Sequence, residues 1–97
     1  MPKIRVLIAD DHAILREGLK AFLRYQEDMA VGGEARNGQE AEEQVEKLKP
    51  DVVLMDIAMP TSNGIEATRV ICERFPACRV LILTQHDDPE YVVKLLQ

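Results

Sequence analysis

The chain has no tryptophan, two tyrosines and two phenylalanines among 97 residues. Whatever core it builds must therefore be aliphatic. Its two cysteines, Cys72 and Cys78, have neither a C-x-x-C spacing nor a second pair or histidine cluster beside them. That pattern argues against a disulfide framework and a thiolate metal centre, and reads as two reduced thiols. No apolar run approaches the ~20 residues needed to span a bilayer. The first apolar stretch, in MPKIRVLIAD, ends on acid with no small-residue cleavage site, so it is no signal peptide. A cytoplasmic location without membrane association is the expectation. Basic residues are outnumbered, 12 against 17 acidic, for a net charge of −5. An acidic balance excludes the basic face that nucleic-acid binding by this segment would require. No glycine-rich loop follows the first apolar run, which argues against a nucleotide- or flavin-binding fold.

What is present suits one globular domain over residues 1–97, with 46% hydrophobic and 30% charged side chains. Residues 4–9, IRVLIA, read as a strand closing on Asp10-Asp11. Over 13–25 the spacing turns helical, with Leu15, Leu19, Phe22 and Leu23 on one stripe. A weaker strand at 29–35 is interrupted by Gly32-Gly33. Asn37 then begins a second helix as its N-cap, with Glu40 completing a capping box and Ala41, Val45 and Leu48 as the apolar stripe. The run DVVLMD supplies a third strand over 52–55. A loop over 60–64 leads to a helix over 65–75, with Ile65, Thr68, Ile71, Cys72 and Phe75 expected inward and Pro76 ending it. RVLIL, 79–83, is a fourth strand, and Asp88-Pro89 opens a last helix over 90–97.

Four βα units whose strands are mostly continuous apolar runs imply a parallel sheet covered on both faces, a doubly wound α/β class. All strand C-termini then share one edge, where ligands bind. Asp10 and Asp11 end the first strand, Asp56 the third, and Thr84 follows the fourth. If the first and third strands are neighbours, three carboxylates converge and repel. A hard divalent ion relieves that repulsion, and Mg²⁺ suits it, since it binds one or two carboxylates and keeps room for waters and a phosphate oxygen. One such acid alone would be an ordinary polar strand end; three at one edge are a site. His12 is expected to start the first helix facing solvent, and His86 to lie in a solvated loop and helix cap.

Asp10-Asp11, the stretch DIAMPTSNG from Asp56 to Gly64, and the strand end at Thr84 together resemble the receiver domain of two-component response regulators. DDHAILREGLKAFL and ILTQHDDPEYVVKLLQ resemble its NarL/FixJ-type subfamily. The resemblance implies a flavodoxin-like (βα)5 fold, here with four units and strand order 2-1-3-4. It implies Asp56 as phosphoacceptor for a histidine kinase. It further implies Mg²⁺ held by Asp11, Asp56 and the main-chain carbonyl of Ala58, with Asp10 acting mostly through water. Thr84 would bond the phosphate and switch the region after the fourth strand. On this reading the domain is no enzyme beyond catalysing its own phosphorylation and dephosphorylation.

The family pattern also contains a fifth strand with a lysine, a fifth helix and an output DNA-binding domain, none of which occurs in these residues. Two further readings follow. One is a phosphotransfer-impaired module that self-associates as a dimer, through the exposed edge of the fourth strand or by exchange of elements. The other is an aspartate-nucleophile phosphohydrolase, which wants a second acid two residues after the nucleophile; position 58 holds Ala58, which argues against it.

Overall fold

In the computed structural model, residues 3–56 and 64–83 are described. Four strands, β1 (Ile4–Ala9), β2 (Met29–Ala35), β3 (Val52–Asp56) and β4 (Arg79–Leu83), form one parallel sheet in the order β2-β1-β3-β4. Three helices cover it: α1 (Ala13–Arg24), α2 (Gly38–Leu48) and α3 (Gly64–Arg74). The expected class and strand order hold. The expected last helix and Thr84, Ala58 and His86 lie outside the described residues.

The apolar runs work because alternate side chains of each strand meet opposite helix layers. Leu7, Ala9, Val53, Met55 and Ile82 pack with Ala41, Val45, Ala67 and Ile71 of α2 and α3. Val6 and Ile8 point the other way, toward Leu23 of α1, with Leu19, Val52 and Leu54 completing that layer. The two layers are unequal. Part of the apolar stripe of α1 is uncovered, as expected where no fifth helix packs on it: Leu15 and Phe22 are 37% and 62% exposed among the described residues. On α3, Ile65 and Cys72 also face solvent, and the buried positions are Gly64, Ala67 and Ile71. The buried face of α3 thus runs through Gly64, Ala67 and Ile71, at i, i+3 and i+7, and shares only Ile71 with the expected stripe. Thr68 is half-buried, its hydroxyl donating to the Gly64 carbonyl at 2.7 Å.

Local details follow from chemistry. Asn37 caps α2, its side-chain oxygen accepting the Glu40 N–H at 2.8 Å. The Glu40 carboxylate reaches back to the Arg36 N–H at 2.9 Å, one residue earlier than a capping box would place it. The glycine pair does not end β2. Val6 pairs with Val31 and Leu7 with Gly33, so Gly32 is an inserted bulge residue and the strand continues. Helix α2 ends with Lys49 in the left-handed conformation, φ 48°, just before Pro50.

Candidate functional site

The functional side chains stand at the carboxyl edge of the central strands. Residues of β1 and β3 pair in register from Val6–Val52 to Ala9–Met55. The next residue on each strand is Asp10 or Asp56, and both are 1% exposed. Asp10, Asp11, His12 and Asp56 each offer a ligand atom, and these atoms all lie within 4.8 Å of one another. Strand adjacency thus brings together all three predicted acids. His12 starts α1 with an exposed ring, as expected, and that ring also joins the cluster. The fourth candidate, Thr84, follows Leu83, which pairs with Asp56 in the β3–β4 ladder; its placement and that of the Ala58 carbonyl lie outside the described residues.

Hydrogen bonds fix the cluster from beneath. Asp10 Oδ1 accepts the His12 N–H at 2.7 Å and lies 3.1 Å from His12 Nδ1. Asp10 Oδ2 is buried and has no hydrogen-bond partner. Buried carboxylate oxygens without partners are costly, so such an atom beside two more acids fits a hard cation. The Asp10 carbonyl accepts from Arg16 Nη1 at 2.6 Å, anchoring the turn into α1. Arg16 Nε in turn donates to Glu34 Oε1 at 3.1 Å, and Lys20 Nζ to Glu34 Oε2 at 3.0 Å. The Arg16 and Lys20 side chains are only 14% exposed. Their partner is a glutamate inside the glycine-rich β2, the one acid in that strand.

The imidazole of His12 is half-exposed and lies 3.0 Å from Asp11 Oδ1 as well. Its pKa is raised above the ordinary histidine value, first by the hydrogen bond to Asp10 and next by the charge of Asp11, with burial opposing. Glu34 is held below the ordinary carboxylate range, chiefly by its hydrogen bond to Lys20, which burial opposes and Arg16 reinforces.

An acidic rim of this kind, at the crossover between strands running to either side of β1, is the ligand position of doubly wound folds. Residues 6–97 match the response regulator receiver domain. The chain belongs to that family. It is 46% identical over 95 residues to the transcriptional regulatory protein DegU of Brevibacillus brevis, covering 98% of this chain and 40% of that one. The oxygen regulatory protein NreC of Staphylococcus haemolyticus (strain JCSC1435) is 45% identical over 95 residues, covering 97% and 44%. The receiver domain therefore spans less than half the length of these curated relatives. Among solved structures, the signal receiver domain of NarL from Mycobacterium tuberculosis superposes with a TM-score of 0.87 at 35% identity, covering all of this chain and 78% of that one. The response regulator domain of Thermotoga maritima CheB gives 0.85 at 42% identity, covering 97% and 71%. The flavodoxin-like receiver fold and the NarL/DegU-type grouping follow. Among the described residues no helix is long and apolar enough to cross a membrane.

Proposed function

We propose that this receiver domain takes a phosphoryl group from a histidine kinase onto Asp56. The observation that carries the reading is the convergence of buried Asp10 and Asp56 with partly exposed Asp11 at one rim of the sheet. A carboxylate oxygen of Asp56 attacks phosphorus of the kinase's phosphohistidine. The P–N bond breaks, its electron pair and a proton end on the departing imidazole, and an acyl phosphate remains on Asp56. Asp11 and Asp56, with the Ala58 carbonyl, would hold Mg²⁺, and Asp10 would steady it through water. Bound there, Mg²⁺ offsets the charge gathering on the phosphoryl oxygens. Asp10 is kept in place by the His12 N–H and by Arg16 beneath its carbonyl. Thr84, directly after Leu83, would donate its hydroxyl to the phosphoryl group and couple the new charge to the segment that follows.

Beyond its own phosphorylation and dephosphorylation the domain catalyses nothing on this reading. It works in the cytoplasm, and the DNA contacts of its regulator belong to a separate output domain. The test is Mg²⁺-dependent incorporation of one phosphoryl group from acetyl phosphate, read by intact-mass spectrometry. The expected result is incorporation by the native chain and none by Asp56→Asn. Labelling that persists in Asp56→Asn, or that ignores chelation, would overturn it.

A second reading, self-association, has one observation in its favour. Among the described residues β4 is a sheet edge, and its Leu81 is 37% exposed. Light scattering at micromolar concentration decides it: a dimer mass supports pairing through this edge, a monomer mass excludes it.

A further inference from the structure

Magnesium uses only part of what the rim offers. We infer that His12 is a nitrogen ligand that lets the acidic site take a transition divalent cation in competition with Mg²⁺. The inference rests on the rim being a cation site, as the proposed function holds, and adds which second class of ion it admits and through which residue.

Three observations carry it. Asp10 is 1% exposed, yet its Oδ2 has no hydrogen-bond partner, and its carboxylate belongs to the same cluster as His12, Asp11 and Asp56. His12 Nδ1 lies 3.1 Å from Asp10 Oδ1 and 3.0 Å from Asp11 Oδ1. Two ligand atoms at right angles on an octahedral ion with bonds of about 2.1 Å are separated by about 3.0 Å. The nitrogen and both carboxylate oxygens are thus already at the spacing of one coordination shell. Finally, the His12 side chain is 53% exposed whereas that of Asp10 is 2% exposed. A cation can therefore enter past the ring, and the ring can turn to meet it without unpacking a core.

The ion class follows from the donor set. Carboxylates alone suit Mg²⁺, Ca²⁺ or Mn²⁺, whereas an imidazole added to them favours Co²⁺, Ni²⁺ or Zn²⁺ in the usual order of affinity. His12 joins Asp10 and Asp11 through a single tight turn into α1, so the three donors come from consecutive residues. Asp56 completes the set from β3. An ion seated this way occupies the same carboxylates that Mg²⁺ needs, and the two compete.

The test is calorimetric titration of the 97-residue chain with Mg²⁺ and, separately, with Ni²⁺. Native protein is expected to bind Ni²⁺ the more tightly, and His12→Ala to lose at least about tenfold in Ni²⁺ affinity with Mg²⁺ affinity within about twofold of native. The other histidine is tested alongside: a loss of Ni²⁺ affinity in His86→Ala as large as that in His12→Ala overturns the assignment to His12. Asp10→Asn should weaken both ions. Because His12 sits at the start of α1, the unaltered chain provides a second readout, the imidazole ¹⁵N resonances with Zn²⁺. Ligation should shift those of His12 and spare those of His86. If His12→Ala binds Ni²⁺ like native protein, or the Zn²⁺ shifts fall on His86, the inference is overturned while Mg²⁺ binding keeps the phosphoacceptor reading intact. If neither ion binds, the cation site itself is overturned, and this inference with it.

Discussion

Asp10 carries two opposed duties, and substitution separates them. Its Oδ1 accepts the His12 N–H at 2.7 Å, which an asparagine oxygen also does. Its charge, by contrast, stands beside Asp11 and Asp56, whose ligand atoms share a 4.8 Å cluster with it. Like charges so close and so poorly hydrated repel strongly. Asp10→Asn is therefore expected to stabilise the cation-free protein by roughly 1–2 kcal/mol, most of the relieved repulsion being offset by a weaker hydrogen bond. It should also remove most of the stabilisation that added Mg²⁺ gives native protein. Thermal denaturation with and without Mg²⁺ checks both parts, and an Asp10→Asn protein less stable than native in chelator would contradict the repulsion argument. These acids were legible in the sequence because each directly follows an apolar run, and topology did the rest. For His12 its place at the start of α1 was legible, and its contacts to Asp10 and Asp11 were not, because they depend on which way the ring turns.

At the scale of elements, α1 is tied to β2 by Arg16 and Lys20 closing on Glu34. Only the ionised carboxylate makes these bonds fully, so folding favours it and the folded-state pKa falls below the ordinary 4.5. The contribution is present above that pH and is lost as pH falls through the depressed folded value. Glu34→Gln should thus be less stable than native protein at neutral pH, with the difference closing below pH 4.5. Urea midpoints measured across pH test this; a gap that stays constant into acid would remove the ion pairs as its cause. The neighbouring glycines make a different pair. A Cβ on Gly33 would come 2.6 Å from Leu48 Cδ1 and 3.2 Å from Leu7 Cδ1, whereas on Gly32 the nearest atom is 3.6 Å away. Neither has a positive φ. Gly33→Ala should cost about 1 kcal/mol as the leucines shift, and Gly32→Ala should be neutral or stabilising by up to about 1 kcal/mol through the stiffer unfolded chain. Equal effects in chemical denaturation would refute the distinction. From the sequence this pair looked like a break in a strand; a bulge and a close helix approach are three-dimensional facts that composition does not encode.

For the whole molecule, the order of strands and the alternation of helices could be read from chain pattern alone. The depth of each layer could not. Helical spacing places Ile71 and Phe22 each on an apolar stripe, yet Ile71 is fully buried between α3 and the sheet and Phe22 is 62% exposed. Periodicity says which side of a helix is apolar; it does not say how much of that side the sheet reaches. Under α2 and α3 the buried layer is continuous from Leu7 to Ile82, and under α1 it is Val6, Ile8 and Leu23 with half-buried neighbours. The two faces should therefore answer truncation differently. Ile71→Ala leaves a cavity walled by α2 and the sheet, at a cost of about 2–5 kcal/mol. Phe22→Ala removes a ring already mostly in water and should stay within about 0.5 kcal/mol of native. Paired urea denaturation of the two variants measures the contrast. If Phe22→Ala costs as much as Ile71→Ala, the α1 layer is closed in solution by residues that the described fold leaves apart, and the unequal stability of the two faces argued above does not hold.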